Sequence, residues 1–236
     1  MYGKGGNMGP VRLSDRLFMV GGSEVTDSRD CSVYLVNLGD LVLIDAGAGP
    51  SSPQIARNVE LLGFNPSEIS SLILTHCHID HVGGARFFRE KYQTPLIMHE
   101  IDAEPVERGD TTMTAAFWYN LPFPPLSIER KLHSAEESLA FGEGTLVCLH
   151  TPGHTPGSLS IYVDLPEEGR VLFGQDVHGP FYAEFGSNLI DWRKSMKKLL
   201  SLEADMLCEG HLGVYSPKDS VKKYIQHYLE AYDDEP

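Results

Sequence analysis

The sequence contains no long hydrophobic run. Near its beginning, the only continuous apolar stretch is LFMV at residues 17–20. A helix that spans a bilayer needs about 20 such residues, and the core of a secretory signal needs roughly 7–15. We therefore expect no membrane partner and no signal peptide. The expected location is the cytoplasm.

Basic residues are also scarce. The 236 residues include 19 Lys and Arg against 33 Asp and Glu, which gives a formal net charge of -14. Proteins that bind nucleic acid neutralise its phosphates with Lys and Arg, and this excess of acidic residues provides little support for such binding. A nucleic-acid partner is therefore not expected.

Cysteines are few and widely spaced. Cys31, Cys77, Cys148 and Cys208 form no C-x-x-C pair, and each lies beside apolar residues in a strand-like stretch. Free cysteines are among the most frequently buried residues, and disulfides are rare in reducing compartments. We therefore expect four reduced thiols in or near the core, which agrees with a cytoplasmic location.

The sequence does contain a regular succession of short apolar runs and helical patterns. Runs of strand length occur at residues 12–20, 31–38, 41–45, 71–75, 95–98, 145–150, 158–163, 171–173 and 206–208. Helical patterns occur at 53–63, 83–91, 192–202 and 218–231. This succession indicates layered sheets covered by helices. We interpret residues 1–236 as a single domain, because the length suits one large domain.

Residues 102–135 lose this periodicity. They hold Trp118, Tyr119 and Phe123 together with several prolines. A long irregular segment inside a compact domain is usually functional or disordered, and the aromatic content favours function. We predict that this segment has a functional role. The alternative is that these aromatic residues pack as a small satellite core.

Three of the ten histidines lie together in the run THCHIDH at 75–81. His76, His78, Asp80 and His81 follow the predicted strand 71–75, so a loop at the end of that strand can bring their side chains together. Imidazole nitrogens and carboxylate oxygens bind Zn²⁺ at about 2.0–2.2 Å, and they also hold iron or manganese. The run therefore predicts a metal site.

Three more residues of the ligand type lie at strand ends. His154 lies between two predicted strands, Asp176 follows the strand 171–173, and His211 follows the strand 206–208. Each residue alone is weak evidence, because a single histidine or aspartate in a turn is usually an ordinary polar residue. Their equivalent placement at strand ends makes them candidates for the same metal site.

Five motifs together resemble the metallo-β-lactamase fold superfamily. They are LIDAG, which contains Asp45, THCHIDHVGG at 75–84, TPGHTPGS at 151–158, GQD at 174–176 and EGH at 209–211. The motifs follow the order of the family and span most of the chain. The resemblance implies an α/β fold, an αββα sandwich of two mixed β-sheets flanked by helices, with the metal site at the sheet edges.

The resemblance also implies a set of seven ligands. These divide into a first site, a second site and a bridging residue: His76, His78 and His154; Asp80, His81 and His211; and Asp176. Asp45 would orient a ligand, although it could also be an ordinary turn residue. The cofactor implied is a pair of divalent metal ions, with zinc preferred and iron or manganese as alternatives.

The activity implied is that of a binuclear metal-dependent hydrolase. A hydroxide that bridges the metals would attack the carbonyl carbon of an ester, thioester or lactone, because two metal ions lower the pKa of water from about 15.7 to about 7. Asp80 would be close to this nucleophile. It would hold the proton and deliver it to the leaving group.

The metal site resembles those of glyoxalase II and the lactonases, but neither substrate class matches fully. Glyoxalase II adds a C-terminal helical domain, for which little chain remains after Asp176, and acyl-homoserine lactonases carry Tyr at the position of Gly179. Several true β-lactamases lack a carboxylate at the bridging position. If the segment 102–135 follows the pattern of the family, it would lie over the metal site as a hydrophobic lid. We expect a small-molecule substrate with an acyl or aromatic group, and its candidate contacts are Trp118, Tyr119, His178 and Tyr182.

Two alternatives remain open. Persulfide dioxygenases resemble the same motif but use one iron on two His and one Asp, and the nearest equivalents are His76, His154 and Asp176. A metal-binding interaction protein without catalysis is the other alternative. The sequence does not determine the oligomeric state and is compatible with a homodimer.

Overall fold

The computed structural model describes residues 8–232, so the ends of the predicted domain, residues 1–7 and 233–236, lie outside the described part. Thirteen strands occur within that part. They are β1 (Val11–Arg12), β2 (Leu17–Gly21), β3 (Val33–Asn37), β4 (Leu41–Ile44), β5 (Ile69–Ile73), β6 (Leu96–His99), β7 (Arg130–Leu132), β8 (Glu136–Phe141), β9 (Gly144–His150), β10 (Leu159–Leu165), β11 (Gly169–Gln175), β12 (Met206–Glu209) and β13 (Val214–Tyr215).

The strands form two mixed sheets. The first sheet has the order β1-β2-β3-β4-β5-β6-β7, antiparallel from β1 to β4 and parallel from β4 to β7. The second has the order β13-β12-β11-β10-β9-β8, in which β11 and β12 are parallel and the other pairs antiparallel. Both sheets therefore mix the two orientations, as predicted.

Seven helices flank these sheets within residues 8–232: α1 (Ser52–Leu61), α2 (Ile79–Val82), α3 (Ala85–Tyr92), α4 (Glu100–Arg108), α5 (Ala116–Tyr119), α6 (Leu189–Ser201) and α7 (Lys218–Ala231). Tyr34 and Phe173 belong to the core between the sheets. Phe88 of α3 packs in a second core on the first sheet, and Trp192 and Ile225 pack α6 and α7 on the second. The predicted αββα sandwich is confirmed.

Because the central strands are buried on both faces, they can be recognised in the sequence as apolar runs. All residues of β4 are buried, and so are four of the five in β3 and in β5. A strand that is covered on both faces is an almost continuous apolar run. The helical pattern at 192–202 predicts a core-facing stripe of Trp192, Met196, Leu199 and Leu200. The first three are buried and Leu200 is half-buried against the same core.

Two strand predictions differ from the structure. The predicted strand 12–20 is a hairpin of β1 and β2, because the N–H groups of Leu13 and Ser14 both donate to the carbonyl of Leu17 and turn the chain. Strand β8 is not predicted from the sequence. It lies at a sheet edge, and only Leu139 and Phe141 are buried in it, so its apolar pattern is short.

The segment 102–135 is less irregular than predicted. It contains most of α4, all of α5 and the edge strand β7. Pro105 lies inside α4 and interrupts the sequence signal, although the helix begins at a cap formed by His99 and ends at Gly109, whose φ is 68°. The stretch from 120 to 129 has no regular element.

All four cysteines are buried and free, which confirms the prediction of unpaired core thiols. Among residues 8–232, none of the helices combines the length and apolar character that crossing a bilayer would require.

Candidate metal centre

Three imidazoles converge at one edge of the sandwich. His76 and His78 lie in the loop between β5 and α2, and His154 lies in the loop between β9 and β10. The Nδ1 atom of His78 is 3.1 Å from Nε2 of His76 and 2.9 Å from Nε2 of His154. All three side chains are buried. Together with Asp176 they form the first metal group.

Asp176 directly follows β11 and faces two groups of ligand-type side chains. Its Oδ2 atom is 3.4 Å from Nε2 of His154 and 3.9 Å from Nε2 of His76. Its Oδ1 atom is 3.3 Å from Nε2 of His81 and 3.3 Å from Nε2 of His211. The carboxylate therefore presents one oxygen to each group.

The second metal group consists of Asp80, His81 and His211. Asp80 and His81 lie in α2, and His211 follows β12. Oδ2 of Asp80 is 3.3 Å from Nε2 of His211 and 3.7 Å from Nε2 of His81. The two imidazole nitrogens are 3.4 Å apart. The structure thus brings together all seven residues that the sequence motifs single out.

These separations suit ligands around a common ion. Two atoms that lie about 2.0–2.2 Å from a tetrahedral zinc ion are about 3.3–3.6 Å apart. Oδ1 of Asp176 is buried and makes no hydrogen bond in the described part of the chain, although two imidazole nitrogens are 3.3 Å away. A cation between these atoms would satisfy that oxygen. Nitrogen and carboxylate ligands fit zinc, and also iron or manganese.

In His154 and His76, the Nδ1 atom has a hydrogen-bond partner, which leaves the Nε2 atom free to bind an ion. Nδ1 of His154 donates to the carbonyl of Pro180 at 2.9 Å. Nδ1 of His76 is 3.2 Å from the hydroxyl of Thr75, which itself donates to Asp45. A partner at one ring nitrogen fixes the tautomer, so the lone pair of the other nitrogen faces the site.

Burial and charge set different protonation preferences in the two groups. Burial lowers the pKa of His76 and His78 well below the ordinary value and also lowers the pKa of His154. In the second group, burial acts in the same direction, but Asp176 outweighs it and raises the pKa of His211 to about 9. The first group therefore consists of neutral imidazoles, the form that binds metals.

Asp45 supports the second group through a hydrogen bond to His81. Its Oδ2 atom accepts a hydrogen bond from Nδ1 of His81 at 2.7 Å and another from the hydroxyl of Thr75 at 2.8 Å, and it also accepts from the amide of Gln175. Its Oδ1 atom accepts from the backbone N–H of Thr75 at 2.8 Å. Asp45 is fully buried, so this network fixes the ring of His81 with Nε2 towards the site.

A third set of ligand-type side chains, Cys31, Asp45 and His81, lies behind the second group. Burial raises the pKa of the Cys31 thiol, which therefore stays protonated. A thiolate, and not a thiol, is the metal ligand. The hydrogen-bonded Asp45 is also occupied, so this set supports His81 and is a poor metal site.

Two glycines let the ligand loop pack closely on the loop that follows β4. A Cβ atom on Gly83 would lie 2.3 Å from the carbonyl oxygen of Ala48, and one on Gly84 would lie 2.1 Å from that of Ala46. Any side chain at either position would push the loops apart. The VGG sequence after His81 is therefore a packing requirement of the site.

An open cavity of about 220 Å³ lies against side chains of both metal groups, which are candidate ligands. Its non-ligand walls include Trp118, Tyr119, Pro180 and Phe185. The Trp118 ring centroid is 4.9 Å from that of Phe185 and 4.9 Å from that of Tyr182. Trp118 is 48% exposed, which is unlike a core residue.

Two polar side chains, Tyr119 and His178, also line this cavity. Burial and the nearby Asp80 raise the pKa of Tyr119, which keeps the phenol protonated. Nδ1 of His178, which also lines the cavity, is 2.6 Å from Oε1 of Glu209. The other oxygen of Glu209 accepts from the backbone N–H of His211 at 2.6 Å. Glu209 therefore positions both His178 and the His211 loop.

Sequence reasoning missed three residues that the structure places around the centre. Glu209 lies within the EGH motif, which was the only signal for it. Phe185 contacts His78 at a centroid distance of 4.7 Å, and Asp102 is a buried carboxylate beside the ligand loops. Neither of these two had a motif, because their partners are distant in sequence.

Several known proteins are similar to this chain in sequence. The probable metallo-hydrolase YflN of Bacillus subtilis is 27% identical over 215 residues, which cover 76% of this chain and 80% of that protein. The acyl-coenzyme A thioesterase MBLAC2 of Gallus gallus is 30% identical over 173 residues, covering 65% and 56%. An N-acyl homoserine lactonase from a Bacillus species is 26% identical over 168 residues, covering 67% and 62%.

Solved structures share the architecture. A metallo-β-lactamase from Cronobacter sakazakii has a TM-score of 0.80 and 23% identity, and the alignment covers 96% of both chains. At that identity the likeness shows the fold alone. The sequence profile of the metallo-beta-lactamase superfamily matches residues 26–211. Because this match covers most of the chain and includes every ligand-type residue described above, the chain belongs to the metallo-β-lactamase superfamily.

Proposed function

We propose that this protein is a hydrolase that holds two divalent metal ions, with zinc preferred, and that cleaves an ester, thioester or lactone. One observation carries the proposal: the two oxygens of Asp176 face two separate groups of three ligand-type side chains. When bound, two metal ions supply hydroxide at neutral pH and polarise a carbonyl oxygen. The remaining roles belong to the side chains of the chain itself.

The candidate ligands would bind the two metal ions as two sets of side chains. The neutral imidazoles of His76, His78 and His154 would hold one ion, and Asp80, His81 and His211 would hold the other. Asp176 would contact both. Asp45 keeps the ring of His81 in its orientation through a hydrogen bond of 2.7 Å.

Asp80 is the candidate for proton transfer. Its carboxylate lines the cavity where the substrate would lie, and it is nearly buried. In this position it can accept the proton of the attacking water at a carboxylate oxygen and release it to the leaving group. General acid–base catalysis of this kind typically contributes 10²–10⁴-fold to the rate.

The aromatic side of the cavity favours a substrate with an acyl or aromatic group. Trp118, Tyr119 and Phe185 form its apolar wall, and Tyr182 packs against Trp118. His178 lies on the polar side. The proposal therefore includes a small-molecule substrate as the partner, without nucleic acid or membrane. The names of the thioesterase and lactonase relatives support these bond types.

Metal analysis followed by a substrate screen tests the proposal. Protein purified without chelators should contain two metal equivalents, and it should hydrolyse at least one member of a panel of esters, thioesters and lactones. His76→Ala, which removes a ligand, is the matched inactive control. One equivalent of iron with oxygen consumption on a persulfide would instead support the dioxygenase alternative. Bound metal without turnover would support an interaction protein.

A further inference from the structure

A buried carboxylate outside the ligand set joins two loops of the metal centre. Asp102 lies in the first turn of α4 and is 1% exposed. Its Oδ2 atom accepts hydrogen bonds from the backbone N–H of Cys77 at 3.0 Å and from the hydroxyl of Thr155 at 2.7 Å. Its Oδ1 atom accepts from the backbone N–H of Gly157 at 2.6 Å. One side chain therefore connects three donors.

These donors lie next to the ligands of the first metal group. Cys77 separates two of its histidines in sequence, and Thr155 directly follows the third. The first loop leaves the first sheet after β5, and the second connects β9 and β10 in the second sheet. Asp102 thus joins ligand loops that come from different layers of the sandwich.

Helix α4 packs tightly against the loop between β9 and β10. A Cβ atom on Gly157 would lie 2.5 Å from Oδ1 of Asp102 and 2.5 Å from its backbone nitrogen. An acidic side chain at this helix position commonly turns back to cap its own helix. Here His99 acts as the cap, through a hydrogen bond from the N–H of Ile101 to its Nδ1 atom. The carboxylate of Asp102 is therefore available to the loops.

We infer that Asp102 is a positioning residue for the first metal group. It fixes the distance between the loop that carries His76 and His78 and the loop that carries His154. The inference rests on the proposed two-metal function. Partners that orient metal ligands typically change metal affinity 10–100-fold when they are replaced. All three hydrogen bonds of Asp102 go to the loops of the first group, and His81 in the second group is held by Asp45, so we expect the loss to be confined to one ion.

Zinc titration of the Asp102→Asn variant tests this assignment. Asn keeps one acceptor oxygen but turns an NH₂ group towards a donor. Chelator-stripped protein is titrated with Zn²⁺ alone against a chromophoric competitor, with His154→Ala and His211→Ala as references for the two groups. We expect one equivalent to bind roughly 10–100-fold more weakly, as a milder form of the His154→Ala pattern. Wild-type affinity for both equivalents, or the His211→Ala pattern, would overturn the inference.

A second pair of variants covers the case in which Asp102→Asn fails to fold. Thr155→Val removes one of the three hydrogen bonds, and Thr155→Ser retains the hydroxyl. The Val variant should weaken the same equivalent, and the Ser variant should restore it. Equal affinities in both would contradict the inference. In metal-free protein, amide hydrogen exchange at Cys77 and Gly157 should also be faster in Asp102→Asn, and unchanged exchange would contradict the role of its hydrogen bonds.

The outcome for the wild-type protein separates this inference from the proposed function. A wild-type chain that takes up fewer than two zinc equivalents contradicts the two-metal function, and the inference with it. Two tight equivalents in both wild type and Asp102→Asn contradict the inference alone.

Discussion

Replacing Trp118 with Ala should reduce activity towards substrates with long acyl groups and leave small substrates nearly unaffected. The side chain lines the cavity beside the two metal groups and is 48% exposed. A substrate can therefore cover a large apolar surface on Trp118 that water otherwise contacts. We expect an acetyl group to be too short to cover this surface when the reacting carbonyl lies at the two metal groups.

The exposed surface determines the size of the effect. An aromatic side chain can bury about 150–250 Å², so the open half of Trp118 offers about 100 Å². At about 25 cal/mol per Å², full coverage by a substrate stabilises the complex by about 2.5 kcal/mol. Each 1.36 kcal/mol is about tenfold in rate. Trp118→Ala should therefore lower kcat/KM by about 70-fold for a substrate that covers the ring fully, and by about 8-fold at half coverage.

The assay compares kcat/KM for a short and a long thioester or ester of the same leaving group. Phe117→Ala is a matched control, because Phe117 is 49% exposed and adjacent to Trp118 but does not line the cavity. The control should change neither value by more than about twofold. Equal losses on both substrates for Trp118→Ala, or a loss of folding without a change in selectivity, would refute the lid and identify Trp118 as a packing residue.

Three other perturbations have defined outcomes. Asp80→Asn should lower kcat by roughly 10²–10⁴-fold while zinc analysis still finds the ion of the first group, and an unchanged kcat would exclude a role in proton transfer. Asp45→Ala should weaken one zinc equivalent roughly 10–100-fold in a competition titration, because His81 loses its hydrogen-bond partner; no change would mean that His81 is held by packing alone. Burial and the neighbouring His150 lower the pKa of His99 to about 4. Since the unfolded chain takes up this proton near pH 6.5, the free energy of unfolding should fall as the pH drops from about 6.5 to 4. His99→Asn, which keeps a helix cap, should reduce this loss by up to about 3 kcal/mol in urea unfolding, and equal pH dependence would contradict it.

The sequence is sufficient to predict the fold and to locate the ligand-type residues, because the patterns that indicate them lie within short stretches of the chain. His76, His78, Asp80 and His81 occupy one short run after a buried strand. Strands β3, β4 and β5 are covered on both faces and are therefore visible as apolar runs. Motifs and apolar runs of this kind depend only on residues that are close in sequence, so they can be recognised without the structure.

The features that the sequence does not reveal depend on contacts between distant residues. Asp102 is 25 residues from Cys77 and 55 from Gly157. Glu209 is 31 residues from His178. No local pattern distinguishes such buried carboxylates from the many acidic residues on the surface. Helix α4 was hidden for a different reason, because Pro105 interrupts its pattern and its stability comes from packing.

Anomalous diffraction from a crystal of the zinc-loaded protein would locate the metal ions directly. We expect two zinc peaks about 3.5 Å apart. One should contact His76, His78 and His154, and the other should contact Asp80, His81 and His211, with Asp176 between them. A single peak in fully loaded protein, or a protein ligand outside this set, would contradict the two-metal account.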